Sequence, residues 1–498
     1  MPFILSGNVG SATAATGFNV TNSVMFEQAD DPYFEKTPTG DGHQRTFTFS
    51  VWLKMDLHDS GDTHKIFDTG SSTNYFTIFV TEDPFLRIIG RVSNSNVLDL
   101  ITTKAFRDPS AWFHLYVAID TTQGTAANRA KIYINGSQVT SFGTETYPNQ
   151  NTDFEIQDAN YPFRLGADKG LGNEHYDGYM AEYMFVDGAA QAIGDFGEFD
   201  EDSPTIWKPK DISAIDVNPA NDNGNGFYLD FKDSSNLGND VGVNAGTDFS
   251  ENNITARDQA TDTCTNNFCT LNPLWRSYFY NDGTMSQGNC RGSFTADNAN
   301  RGYLMTTMGV SAGKWYWEAK VIDNTRMYIG IAKQSVMGVN EPFYDATTYN
   351  AVAINNSGEV YGRWTGSAID QFDTSVSTAD NDILGFALDR DNKELYIHKN
   401  GTYMNSGDPT SGSSRTGGLI DELTASRDLY IPGNDFIFPF MHDPSNSGKL
   451  DIEWNFGGCP AFAISSSNAD GNGFGNFEYA VPSGFFALCT KNLGSDGG

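Results

Sequence analysis

The sequence predicts an all-β protein, built as two jelly-roll antiparallel β-sandwiches joined by a structured but irregular linker. Three observations carry that prediction. The composition favours strand and loop, with 51 Gly, 22 Tyr and 36 Phe beside abundant Thr, Asn, Ser and Asp. Apolar residues alternate with polar ones in many short runs separated by turn residues. No stretch keeps a helical period over three turns, so any helix is short.

At 498 residues the chain exceeds one ordinary core, and domains of roughly 100–200 residues make two or three of them. Residues 1–45, rich in Ala, Gly, Thr, Ser and Asn, read as an N-terminal arm that orders against a neighbour or its own domain. Residues 46–195 form the first sandwich. There Phe47, Phe49, Val51 and Leu53 alternate with Thr48, Ser50, Trp52 and Lys54, which turns one set into a core. Further strands are expected at Ile66–Asp68, Tyr75–Val80, Leu86–Val92, Trp112–Ile119, Lys131–Ile134, Phe163–Gly166 and Tyr179–Val186, and Asn135-Gly136 marks a hairpin turn.

Residues 196–275 form the linker. Its aromatics, Trp207, Phe227 and Tyr228 among them, need burial, so it is structured rather than a free tether. Residues 276–486 form the second sandwich. Strands are expected at Lys314–Val321, Tyr328–Ile331, Ala351–Ile354, Ile383–Asp389, Glu394–His398, Phe436–Met441 and Leu450–Phe456, with turns at Asp389–Lys393 and Lys399-Asn400-Gly401. Residues 487–498 are a C-terminal tail.

The charge excludes one class of partner. A net −32, from 31 Lys+Arg against 63 Asp+Glu, repels a phosphate backbone, and no basic patch offsets it, so no nucleic-acid partner is expected. The acidic residues are scattered through turns, as on a solvated surface. No run of 18 apolar residues exists, and Met1–Gly7 lacks the flank and length of a signal peptide, which argues against membrane insertion and classical secretion. The five cysteines (Cys264, Cys269, Cys290, Cys459, Cys489) are odd in number and too widely spaced for a C-x-x-C motif. Reduced thiols in a cytoplasm where the chain is made are expected.

Catalytic signatures are missing. The seven histidines form no H-E-x-x-H or H-x-H pair, and no G-x-S-x-G elbow occurs, so His114 and His398 read as satisfied sheet histidines. Sugar binding needs aromatics to stack on a ring and Asp or Asn to fix its hydroxyls. The candidates are Tyr75, Tyr361, Trp364, Asp168 and Asp177; core packing is the competing reading of the aromatics. Two loops that both end Asn-Gly-Phe space side-chain oxygens as a calcium ion requires: one through Asp222, Asn223 and Asn225, the other through Asn468, Asp470 and Asn472. Lys232 and Tyr479 stand where an EF-hand would have its twelfth-position Glu, so plain turns compete with calcium here.

The first block resembles the laminin-G/pentraxin-like branch of concanavalin A-like domains. Phe49–Lys54, Trp112–Leu115, Lys131–Gly136, Arg164–Gly166 and Asp177–Glu182 carry the likeness. The second resembles a SPRY domain, through Gly313–Glu318, Ile329–Ala332, Leu384–Asp389, Ile397–Gly401, Phe438–Phe440 and Asn455–Gly457. Residues 226–235, 265–268 and 271–274 look like the segment that joins such domains in structural proteins of marine tailed phages.

These resemblances imply a non-enzymatic virion structural protein, made in the host cytoplasm and displayed on the particle surface as a tail fibre, appendage or capsid decoration subunit. Its implied partners are other virion proteins and a host glycan or protein, with homo-oligomers, trimers included, common among fibres. SPRY-like variable loops, here 333–350 and 402–435, imply peptide partners. A calcium-dependent host-recognition lectin is the alternative, and a polysaccharide depolymerase ranks third. Glucanases on this fold carry an E-x-D-x-E strand. Lys449-Leu450-Asp451-Ile452-Glu453 matches its last two acids but puts Lys449 in the place of the nucleophile.

Overall fold

Strand Thr46–Met55 sets the pattern of the first sandwich: Phe47, Phe49, Val51 and Leu53 all point into the core and are at most 1 % exposed. The structure, a computed structural model, describes residues 17–496 except 57–62, 155, 157, 173, 221–223, 277–282, 295–301, 326, 335–350, 364–368, 424–429, 432, 434 and 444–448. The described residues fall into two units, 17–265 and 266–496.

The first unit is a sandwich of two antiparallel sheets. One, the His114 sheet, runs Ser137–Gln138, Ala130–Ile134, Phe113–Asp120, Thr46–Met55, Gly178–Asp187, Ser23–Phe26 and Gln259–Ala260, with Phe227–Leu229 also paired to Gly178–Asp187. The other, the Tyr75 sheet, runs Phe142–Thr146, Ser95–Ala105, Phe85–Val92, Tyr75–Val80, His64–Gly70, Phe163–Leu165, Tyr33–Lys36 and Ser250–Asn252. Between them lies an aromatic core in which Phe49 meets Phe67 and Phe185 at centroid distances of 4.6 and 4.7 Å, a spacing that adds to simple burial. The Asn135-Gly136 turn forms as expected, both residues left-handed and Ile134 paired with Ser137.

Two expected boundaries change. Residues 23–26 and 33–36 are strands of the sandwich, not parts of an extended arm. Val24, Phe26 and Phe34 are fully buried; the small polar residues around them dilute a period-2 signal that is only four residues long in each strand. The expected linker also divides. Phe227, Leu229, Phe231, Leu237 and Phe249 belong to the first core, and Lys36 and Asp240 form a buried ion pair at 2.8 Å. Its last stretch, Leu271–Arg276, pairs with Gly302–Thr306 in the second unit.

The second unit repeats the architecture. Its His398 sheet runs Gly283–Ser286, Arg291–Phe294, Leu450–Asn455, Lys314–Asp323, Ile383–Asp389, Glu394–Lys399 and Thr402–Tyr403. Its Tyr328 sheet runs Leu271–Arg276, Gly302–Thr306, Ile437–Asp443, Tyr328–Lys333, Ala351–Asn355, Glu359–Arg363 and Asp370–Asp373. Trp315, Trp317 and Trp454 fill the space between, Trp317 stacking on Phe386 at 5.5 Å. The expected tail is docked: Phe486–Ala487 pairs in parallel with Trp315-Tyr316, Cys269 N–H donates to Leu488 O, and helix Thr490–Asp496 follows. All five cysteines are free thiols.

Gly385 shows how tightly the second unit is packed, because a Cβ there would sit 2.0 Å from His398 Nε2. Gly385→Ala is expected to cost about 2–3 kcal/mol by overpacking. Urea unfolding with an unchanged midpoint would contradict this.

Candidate functional site

In the first unit the two outward sheet faces differ. On the His114 sheet, Phe196, Ile212 and Val217 pack over Tyr116, Met184 and Tyr228. Trp207 Nε1 donates to His114 Nδ1 at 3.1 Å, which leaves the ring proton on Nε2, facing Ser50 Oγ at 2.8 Å. Burial pushes the His114 pKa down to about 3, so this Ser–His contact lies beneath a roof and holds a neutral ring. It is a satisfied pair rather than a nucleophile and its base.

The Tyr75 sheet presents charge instead. Hairpin strands Tyr75–Val80, Phe85–Val92 and Ser95–Ala105 turn Tyr75, Phe79, Arg87, Arg91 and Asp99 outward, opposite the core residues Phe76, Ile78, Leu86, Ile88 and Leu98. The second hairpin closes on Ser93-Asn94, both left-handed. Arg87 grips Asp99 through two bonds of 3.0 and 2.8 Å. Lys65 Nζ lies 4.3 Å from the Phe79 ring centroid and 3.0 Å from Glu174. Arg164 Nε donates to Glu35 at 2.7 Å.

At the centre, Lys169 Nζ stands 4.0 Å over the Tyr75 ring and 3.8 Å from Asp68, with Arg91 5.6 Å from the same ring. Asp68 is fully buried and neither carboxylate oxygen has a partner in hydrogen-bond geometry. Burial pushes its pKa up to about 6 against the opposing pull of Lys65, Lys169 and the nearby Lys169 backbone N–H.

Two sequence candidates meet here. Asp168 accepts from Gly170 N at 2.9 Å and Gly172 N at 2.6 Å, so its carboxylate shapes the turn that delivers Lys169. The ammonium of Lys169 lies against the Tyr75 ring, so in this structure Tyr75 anchors that cation.

The other candidates lie elsewhere. Asp177 accepts from Gln28 N at 3.3 Å and its carbonyl accepts from Asp56 N. Tyr361 donates to Glu359 and meets Tyr328 edge-on at 5.3 Å within an aromatic cluster of the second unit. Trp364, Asp222 and Asn223 lie outside the described residues, as do 335–350 and 424–429 of the SPRY-like loops.

The calcium loops are turns where they are described. Asp470 takes N–H bonds from Asn472, Phe474, Ala487 and the Asn492 amide, which uses both its oxygens. Asn468 and Asn472 donate to Phe477 O and Asn492 Oδ1. Asn225 Nδ2 donates to Gly40 O. Among the described residues no three His, Cys, Asp or Glu side chains converge on a metal position. In the strand with the partial glucanase pattern, Arg291 holds Asp451 through bonds of 2.9 and 2.7 Å.

Sequence reasoning missed Lys65, Asp68, Arg87, Arg91 and Lys169. For the arginines the signal was available as charges at outward strand positions, but only cross-strand register sets Arg87, opposite Ile101, diagonal to Asp99, opposite Ile89. Two family profiles match the chain. One, described as the concanavalin A-like lectin/glucanases superfamily, spans residues 30–192, and the SPRY domain profile spans 314–418. The chain carries one domain of each kind.

Among solved structures, the SPRY domain of human HERC1 is similar at 14% identity and a TM-score of 0.26, covering 39% of this chain and 99% of that one. A heptameric SAP-like pentraxin from Limulus polyphemus gives 16% and 0.26, covering 35% and 80%. A putative carbohydrate binding protein from Bacteroides ovatus gives 16% and 0.24, covering 35% and 45%. No curated protein matches the chain.

Proposed function

We propose that the chain is a non-enzymatic binding protein whose concanavalin A-like domain holds an uncharged glycan on the Tyr75 sheet. One observation carries this: Lys169 is fixed between Tyr75 and Asp68 on a face where Lys65, Arg87 and Arg164 also sit beside a carboxylate. Such a face is close to neutral overall yet dense in fixed donors and acceptors, which matches sugar hydroxyls better than a net charge. The lectin-type family of this domain supports the reading.

The proposal extends to setting. The likeness of residues 226–274 to joining segments of marine tailed-phage proteins supports a virion surface location, with the particle's capsid or tail as one partner and a host glycan or protein as the other. Mass spectrometry of purified particles tests that setting, and absence of the chain from them would refute it.

A glycan array tests the binding. Wild-type protein is expected to bind a neutral glycan saturably, and Lys169→Ala to weaken it by about tenfold, the scale of one charge-assisted hydrogen bond. Binding is also expected to survive chelation, because the carboxylates of this face, Glu174, Asp99 and Glu35, are paired with Lys65, Arg87 and Arg164. A silent array, or Lys169→Ala binding as tightly as wild type, would overturn this assignment.

A further inference from the structure

A groove of about 390 Å³ opens on the His114 sheet, beyond the roofed area, between strands Phe113–Asp120 and Ala130–Ile134 and the segment 190–193. Cross-strand pairing of Tyr116 with Tyr133 and of Ala118 with Lys131 turns these side chains onto one outward face. The two tyrosine rings meet edge-on at 5.5 Å and form the floor. The Tyr116 hydroxyl donates to Gln191 O, which fixes the far wall.

The near wall is held just as firmly. Arg129 donates to the carbonyls of Gln123, Gly124 and Pro148, each at 2.8 Å. Asp120 spends its carboxylate on Thr122 and Gln123. The turn is therefore shaped before any ligand arrives.

Three side chains that line this frame have no protein partner among the described residues. The side chains of Asn128, Lys131 and Gln191 make no hydrogen bond or ion pair among the described residues. Lys131 is half-buried at the groove and meets no carboxylate among those residues, unlike Lys65, Lys169, Arg87 and Arg164 on the Tyr75 sheet. In a chain of net charge −32, an unpartnered cation beside an aromatic floor and two free amides, with the one lining carboxylate, Asp120, turned to its own loop, selects a small ligand that brings one negative charge and several hydroxyls. A long polyanion would meet the repulsion of the whole surface.

We infer that this groove is a second, separate saccharide site, specific for a single acidic sugar residue whose carboxylate pairs with Lys131 while its ring lies against Tyr133 and its hydroxyls bond Asn128 and Gln191. The pairing is a charge-assisted hydrogen bond in a partly dry groove, stronger than any contact a neutral sugar makes there.

The test uses the full chain with methyl β-D-glucuronide and methyl β-D-glucoside, read by saturation-transfer NMR and calorimetry. The glucuronide is expected to bind saturably and about tenfold or more tightly than the glucoside. Lys131→Gln should abolish that preference without affecting folding, since Lys131 has no partner to lose. Tyr133→Ala should weaken the glucuronide as well, which ties its binding to this groove rather than to the Tyr75 sheet. Equal affinity for the two sugars, no saturable glucuronide binding, or a preference that survives Lys131→Gln would each overturn the inference.

Discussion

Glu318→Ala is expected to destabilise the second unit by about 3–5 kcal/mol, the cost of leaving several buried donors without their acceptor. Glu318 is fully buried. It accepts from Tyr479 N at 2.8 Å, Glu478 N at 2.9 Å, the Asn455 amide at 3.1 Å and the Tyr316 hydroxyl at 3.0 Å. Tyr316 is linked in turn to His398 Nε2 at 2.8 Å. Gly401 N–H donates to His398 Nδ1, so the ring proton sits on Nε2 and the chain of donors runs from His398 through Tyr316 to Glu318. Alanine leaves four donors orphaned and unmoors residues 478–479 from the sheet. The conservative change Glu318→Gln keeps one acceptor and should cost roughly half as much. Urea unfolding reads both, and a loss below about 1 kcal/mol for alanine would show that water replaces the carboxylate freely.

Asp68→Asn is expected to stabilise the first unit at pH 7 and to flatten its pH dependence. The pKa of Asp68 rises from 3.8 in the unfolded chain to about 6 when folded. Folding therefore favours its protonated form. The stabilisation is complete below pH 3.8 and is lost as the pH rises through 6, a swing of about 3 kcal/mol at 1.36 kcal/mol per unit. Glu182, pushed up to about 7 chiefly by burial, acts in the same direction. His114 opposes them, because its lowered pKa of about 3 removes stability as the pH falls below 6.5. The difference between wild type and Asp68→Asn isolates the carboxylate. Parallel stability curves from about pH 7 to 4 would show that Lys65 and Lys169 fully offset its burial.

The strands were legible wherever alternation ran unbroken. Tyr75–Val80 and Ile383–Asp389 match their expected bounds, and Asn135-Gly136 and Asn400-Gly401 turn where they should. Ser95–Ala105 went unread because its outward face, Asn96, Asp99 and Thr103 included, breaks the apolar rhythm and its turn is Ser93-Asn94 without glycine. Alternation put one face of Thr46–Met55 in a core and gave no account of the other, Thr48, Ser50, Trp52 and Lys54, which Trp207 and Asp262 cover: Lys54 Nζ meets Asp262 at 2.7 Å and Trp112 Nε1 donates to the same carboxylate. That burial depends on residues far apart along the chain, beyond the reach of any local pattern. The site was legible only as two isolated residues, since Lys169 has no meaning until Tyr75 and Asp68 are brought beside it.

The pairing of Ser23 with Ala260 bears on how the protein is made. An edge of the His114 sheet is laid down by nearly the first described residues of the unit and completed by almost its last. During synthesis the N-terminal strand emerges long before its partner, so the sandwich cannot close its sheet until residue 260 has left the ribosome. Contacts of such sequence separation fold slowly and leave apolar strands such as Ser23–Phe26 waiting in the open. Release of the first unit as a folded body is thus timed by translation of the segment that looked like a linker.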